Sequence, residues 1–221
     1  MLKAFKNLIF SGKNLCPFCK ETKVKTPNHI CKSCREFIKI ANRELNIKLP
    51  NVERIYYSCI YNRLMRKELH KFKFQGKSYL YKGFGEILIY TIEEMGLKNK
   101  IDAIIFVPMH SRKKAQRGYN QSELLAKYVA ENLEIPLLKN HLLKSKWTEE
   151  QNKLGKVERM TNLKNSFKAI NTDDFKDKDI LLIDDIITTG ATMEECAKTL
   201  VESGAKTVYG LALTSSVKNV R

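Results

Sequence analysis

Nowhere in the 221-residue chain is there a run approaching the roughly 18 consecutive apolar residues that a membrane-spanning helix needs. The opening MLKAFKNLIF has two lysines and a short, interrupted apolar stretch, with no small-residue cleavage site, so it does not read as a signal peptide. These two lacks predict a soluble, cytoplasmic protein with no membrane span. Acidic residues are also short, 24 against 40 Lys and Arg, leaving +16. The shortage is local: residues 1–82 hold 19 basic and 5 acidic residues, whereas residues 83–221 hold 21 and 19. A lysine-rich habit (31 Lys to 9 Arg) would raise the charge everywhere, but it does not explain the asymmetry. A polyanionic partner, most naturally nucleic acid, is therefore expected at the N-terminal third. What is present is ordinary for a globular chain, 43% hydrophobic and 29% charged, so a true core forms and wholesale disorder is excluded. The length suits one full domain plus a small module.

Four of the six cysteines stand early, as Cys16-Pro-Phe-Cys19 and Cys31-Lys-Ser-Cys34. Each pair can bend so that two thiolates aim at one point, and together they complete a tetrahedral Zn²⁺ site. The stretch between the pairs is too poor in apolar residues for a core, so a structural metal supplies the folding energy of a small zinc ribbon. Four thiolates leave no open coordination position, which argues against catalysis by this metal. Disulfides would require an oxidising compartment that nothing here indicates. His29, beside the third ligand, reads as a surface residue, and Cys59 and Cys196 read as small apolar side chains.

Residues 51–82 form a basic, aromatic connector. Ile55–Tyr61 has strand character, and Asn62–Phe74 places Leu64, Met65, Leu69 and Phe72 near helical spacing among Arg63, Arg66, Lys67, His70, Lys71 and Lys73. Such a helix could bind single strands by backbone attraction and stacking, or could simply bury its apolar face and solvate its charges. Gly76 is placed to end it.

From residue 83 onward, helical and short buried-strand patterns alternate. Helices are expected at Phe84–Glu94, Asn120–Leu133 and Thr192–Ser203, and strands at Ile101–Val107, Asp179–Ile183 and Thr207–Leu213. Leu142–Asn165 is long, charged and poorly patterned. The alternation predicts an α/β fold, a mostly parallel sheet flanked by helices, whose ligands bind beyond the carboxyl ends of the strands. One such end reads Ile180-Leu-Leu-Ile-Asp184-Asp185-Ile-Ile187-Thr188-Thr189-Gly190-Ala191-Thr192. Free amides and threonine hydroxyls at a helix start can cradle a phosphate, and Gly190 lets the backbone come close. The two carboxylates would repel a second phosphate; they suit a diol or a divalent cation. The run resembles the 5-phosphoribosyl-1-pyrophosphate (PRPP) signature of type I phosphoribosyltransferases. A second strand end, Val107-Pro-Met-His110-Ser-Arg112 to Arg117-Gly-Tyr-Asn120-Gln121, places two of only nine arginines where a pyrophosphate would need forked cationic partners. His110 reads as a hydrogen-bonded bystander and Asn120 as a helix N-cap.

Zinc ribbon, Lys71-Phe-Lys-Phe-Gln-Gly76, Val107-Pro, Arg117-Gly-Tyr-Asn-Gln121 and the Asp184–Thr192 run occur in one order, which resembles the ComF family (competence protein F). Thr148–Leu154, Arg159, Asn162 and Phe167 are similar to that family's loop before the signature strand. The resemblance implies a zinc ribbon (1–50), the connector (51–82) and a phosphoribosyltransferase-like domain (83–221). It implies that Asp184 and Asp185 hold the ribose diol, and that Ile187, Thr188, Thr189, Gly190, Ala191 and Thr192 hold the 5-phosphate of Mg²⁺-bound PRPP. Arg112 and Arg117 would neutralise a leaving pyrophosphate, and residues 144–165 would form a lid from which Arg159 reaches the ligand. The implied role is handling of single-stranded DNA in natural transformation, beside other DNA-uptake or processing proteins. If a reaction occurs, it is pentosyl transfer with release of pyrophosphate. A base-salvage enzyme and a non-catalytic PRPP-sensing regulator are the alternatives. Thr188 stands where hypoxanthine-guanine transferases carry an acidic residue, which counts against that salvage specificity.

Overall fold

The computed structural model describes residues 15–25, 29–146 and 163–217. Helix α1 (Lys32–Ile38) leads into strand β1 (Ile40–Glu44), then β2 (Arg54–Ile60), α2 (Arg63–Phe74) and α3 (Tyr81–Glu94). The chain continues through β3 (Ala103–Phe106), α4 (Ser111–Arg117), α5 (Gln121–Leu133), β4 (Leu142–Lys144) and β5 (Phe167–Ala169). It closes with β6 (Asp179–Ile187), α6 (Ala191–Glu202) and β7 (Thr207–Ser215).

Five strands make the main sheet in the order β1-β2-β7-β6-β3. The last four run parallel, and only edge strand β1 is antiparallel to its neighbour. The expected mostly parallel sheet flanked by helices is thus present. Period-2 alternation divides β6 between two cores. Leu181 and Ile183 join α2, α3 and α5 on one face, while Ile180 and Leu182 join α6 and Phe175 on the other. No helix among the described residues is long and apolar enough to cross a membrane.

Three features differ from the patterns read in the sequence. Strand β6 does not stop at Ile183; it runs on through both aspartates, pairing Asp184 with Ala212 and Ile187 with Ser215 of β7. Its β-branched Ile186 and Ile187 extend the ladder past the carboxylates. The strand expected at Ile55–Tyr61 forms as β2, but it lies inside the main sheet rather than leading up to it, in register with β7 from Arg54↔Tyr209 to Ile60↔Ser215. Finally, the poorly patterned Leu142–Asn165 begins as β4, which pairs antiparallel with β5. Most of the expected lid, including Arg159 and Asn162, lies outside the described residues.

Helix α2 explains itself locally. Asn62 caps it, its side chain accepting from the Met65 amide at 2.8 Å. Met65, Glu68, Leu69 and Phe72, at i, i+3, i+4 and i+7, form the buried stripe, and the Glu68 carboxylate is paired with Lys71 at 2.7 Å. The opposite stripe stays in water.

Candidate functional site

Parallel strands put all their carboxyl ends on one side, and there the sheet opens a cavity of about 390 Å³. It is lined by Tyr61 after β2, Val107–His110 after β3, Asp184–Gly190 of β6 and its loop, and Ser216 after β7. Lys73 and Phe74 from the end of α2, Lys113 and Arg117 from α4, Ser122 from α5 and Lys144 from β4 complete the wall. Of the residues singled out in the sequence, Asp184, Asp185 and Ile187 to Thr192 all line this cavity, as does Arg117. Arg112 is not among the lining residues; the lining cations of α4 are Lys113 and Arg117. Both arginines sit on that short helix rather than on an open loop, with His110 as its N-cap accepting from the Arg112 amide.

The loop between β6 and α6 turns at Gly190, whose φ of +83° is the left-handed region that a side chain resists. A Cβ there would also come within 3.1 Å of Ile47 and Leu49, so the N-terminal third packs directly against this loop. Asn51 adds a clamp on the first turn of α6, donating from its amide side chain to Glu194 at 2.6 Å and from its backbone at 3.2 Å. The amides at the start of α6 lie at a helix N-terminus, where partial positive charge and unsatisfied donors favour an anion.

Alternation along β6 gives the two aspartates different company. Asp184 Oδ1 accepts from the Ser122 hydroxyl at 2.9 Å and from the Asp185 amide at 2.8 Å. Burial first, then the neighbouring Asp185, push Asp184 up to about 7. Asp185 is buried and holds the Lys73 ammonium at 2.6 Å. Lys73 is delivered by a grip on the carbonyl one residue before it. The Tyr119 hydroxyl donates to the Phe72 carbonyl at 2.6 Å and the Gln121 amide donates at 3.2 Å. The Arg117 guanidinium lies 4.8 Å from the Phe74 ring centroid and also donates to Gln121 at 2.8 Å. Two motifs that stand far apart in the sequence, Lys71–Gly76 and Arg117–Gln121, are therefore one structural joint at the cavity rim.

Nothing in the sequence placed Lys73, Lys113, Lys144, Tyr61, Phe74 or Ser122 at this cavity. Lys144 is held below the ordinary lysine range, chiefly by burial, with Lys113 adding repulsion. No local pattern marks it, because its place in the cavity depends on the β4–β5 pairing.

The four early cysteines converge. Their Sγ atoms all lie within 4.8 Å of one another, with Cys19 and Cys31 at 3.8 Å, near the ~3.7 Å edge of a tetrahedron built on 2.3 Å zinc–sulfur bonds. The donor set therefore fits Zn²⁺. The first pair sits on a tight turn closed by Lys20 N–H to Cys16 carbonyl, 2.8 Å. The second does not sit on a turn but opens a helix, with Cys31 as the N-cap of α1 and Cys34 inside it. Backbone amides of Thr22 and Glu21 draw the Cys19 thiol down to about 6, as a metal ligand requires, while burial raises Cys34. The module is seated on α3. Phe18 packs on Phe84 with ring centroids 5.2 Å apart, and Glu86 accepts from Arg35 at 2.6 Å and from the His29 amide. Cys59 and Cys196 are fully buried.

With sheet, cavity and metal cluster in place, the comparisons with known proteins resolve the class. Residues 120–214 match the phosphoribosyl transferase domain model. The chain is thus an α/β protein of phosphoribosyltransferase type carrying a four-cysteine module. Competence protein ComFC of Streptococcus pneumoniae is 30% identical over 204 residues, 91% of this chain and 81% of that protein. Competence protein F of Haemophilus influenzae is 33% identical over 150 residues, 65% of this chain and 66% of its own length. The DNA utilization protein YhgH of Shigella flexneri is 28% identical over 203 residues, 90% and 82% of the two chains. The chain belongs to the ComF family.

Proposed function

We propose that this protein binds PRPP in the cavity at the carboxyl edge of the sheet, and single-stranded DNA through its basic N-terminal part, in the cytoplasmic handling of DNA during natural transformation. The observation that carries the reading is the adjacency, within one cavity, of the Gly190 loop at the start of α6 and the Asp184–Asp185 pair. The competence and DNA utilization relatives support the DNA role.

In this reading the amides and hydroxyls of Ile187 to Thr192 hold the 5-phosphate, and Asp184 and Asp185 accept from the ribose hydroxyls. Arg117 faces the charge of the pyrophosphate, with Lys113 as the second cation of α4 and Arg112 outside the lining. Mg²⁺ arrives with the pyrophosphate and is a hard cation suited to oxygen donors of this kind. Near neutral pH, Asp184 can hold or accept a proton at the diol. Any transfer would be of pentosyl type. Calorimetric titration of PRPP with Mg²⁺ into the zinc-loaded protein tests the reading. Binding by the wild type, lost in Asp184→Asn/Asp185→Asn, is expected. No heat of binding with a folded wild type refutes it.

A further inference from the structure

The solvent face of α2 is itself patterned. Arg63, Arg66, Lys67, His70 and Phe74 are all exposed and fall at i, i+3, i+4, i+7 and i+11, one straight stripe complementary to the buried one. A shallow groove follows it, lined by Arg63, Arg66, Lys67, His70, Lys71 and Gln75. The stripe ends at Phe74, which is 57% exposed, lies 5.1 Å from the His70 ring, is backed by Arg117, and lines the cavity. Tyr61, two residues before α2, lines the same cavity. The helix thus skirts the cavity mouth, and its basic stripe is continuous with an aromatic rim that opens on the acidic pair and the Gly190 loop.

We propose that this stripe is a track for single-stranded nucleic acid, and that the base at its cavity end stacks on Phe74, so that a polynucleotide base rather than a free base faces the phosphoribosyl site. The inference rests on the PRPP reading above. The chemistry selects the partner. Three cations on one helix face follow a phosphate backbone, and an exposed ring at the end of the same face offers a π-face that unpaired bases can use and a duplex cannot. The 12 residues of α2 span about 18 Å, room for about five stacked nucleotides.

The test uses the full chain and a short oligothymidylate carrying 2-aminopurine at one end, followed by anisotropy and by base fluorescence. The expected wild-type result is salt-dependent binding with quenching of the end base. Arg63→Gln/Arg66→Gln/Lys67→Gln should flatten the salt dependence by about two units in log–log slope, at about 0.7 per phosphate contact. Phe74→Ala should weaken binding about 5-fold to 150-fold and abolish the quenching. Lys98→Gln/Lys100→Gln, exposed and at the opposite end of β3, should change neither readout. Equal affinity for a duplex, equal losses from the Lys98/Lys100 variant, or quenching that survives Phe74→Ala would overturn the proposal. PRPP titration of the same samples separates the two failures. PRPP binding without strand binding sinks only the track, and strand binding without PRPP binding sinks the reading on which it rests.

Discussion

Replacing Asp184 by asparagine should make the protein more stable above neutral pH while removing part of its ligand site. Asp184 is raised from 3.8 to about 7 by burial and by Asp185. A carboxylic acid with a raised folded-state pKa binds more protons folded than unfolded between those two values. Its contribution to stability is therefore full below about pH 4, falls by up to ~1.4 kcal/mol per unit as pH rises, and levels off above about pH 7. The whole window would amount to ~4 kcal/mol. Because the carboxylate lines a cavity open to solvent, screening should leave a third to a half of that, about 1–2 kcal/mol at pH 8. Asparagine keeps an Oδ1 that can still accept from Ser122 and from the Asp185 amide, so the gain should not be offset by lost hydrogen bonds. Lys73→Met should move the opposite way. It removes the cation that lowers Asp184 and that pairs with Asp185, so the pH-dependent loss should deepen and extend to higher pH. Urea unfolding of the three zinc-loaded proteins at half-unit steps from pH 5 to pH 9 measures all of this. Parallel stability curves for wild type and Asp184→Asn would show that the carboxylate is not held protonated by its surroundings, and the reasoning would fail.

Stripping zinc with a chelator, or changing Cys31 to Ser, should unravel residues 15–25 and 29–38 and expose Gly83 and Phe84 of α3, whose surface the Pro17–Phe18 turn covers. Hydrogen exchange should then rise in both segments, and rise in the first alone would contradict the docking. Gly190→Ala should cost about 1–2 kcal/mol from its left-handed backbone and from crowding on Ile47 and Leu49. It should also weaken PRPP binding at least tenfold, measured by calorimetry; unaltered affinity would mean that the loop does not hold the phosphate.

Much of the sheet and all four cysteines were legible in the sequence because their signals are local. Buried strands read as apolar runs, and ligand pairs announce themselves by spacing. The Asp184–Thr192 run was equally readable, since strand, carboxylates, glycine turn and helix start are consecutive. Lys73 was not, although it lies inside the Lys71–Gly76 motif. Its partner Asp185 is 112 residues away, and only the sheet order and the Phe72 carbonyl bring them together. Phe74 and Tyr61 were hidden for a related reason. Each reads as an ordinary aromatic until the helix that carries or follows it is seen to lie along the cavity mouth. The placement of β2 was missed because a basic, aromatic stretch after a metal module looks like a link, and pairing with the last strand of the chain leaves no trace in local periodicity.

That placement bears on how the chain can be cut. Strand β7 has β6 on one side and β2 on the other, over nearly its whole nine residues. A fragment beginning after residue 82 would keep the entire Asp184–Thr192 run and most of the helices, yet bare the flank of β7 with a row of unanswered amides and carbonyls. Such an edge recruits other strands, including those of neighbouring copies. Residues 40–60 therefore cover the flank of β7, and isolating residues 83–221 should yield aggregates unless that segment travels with them.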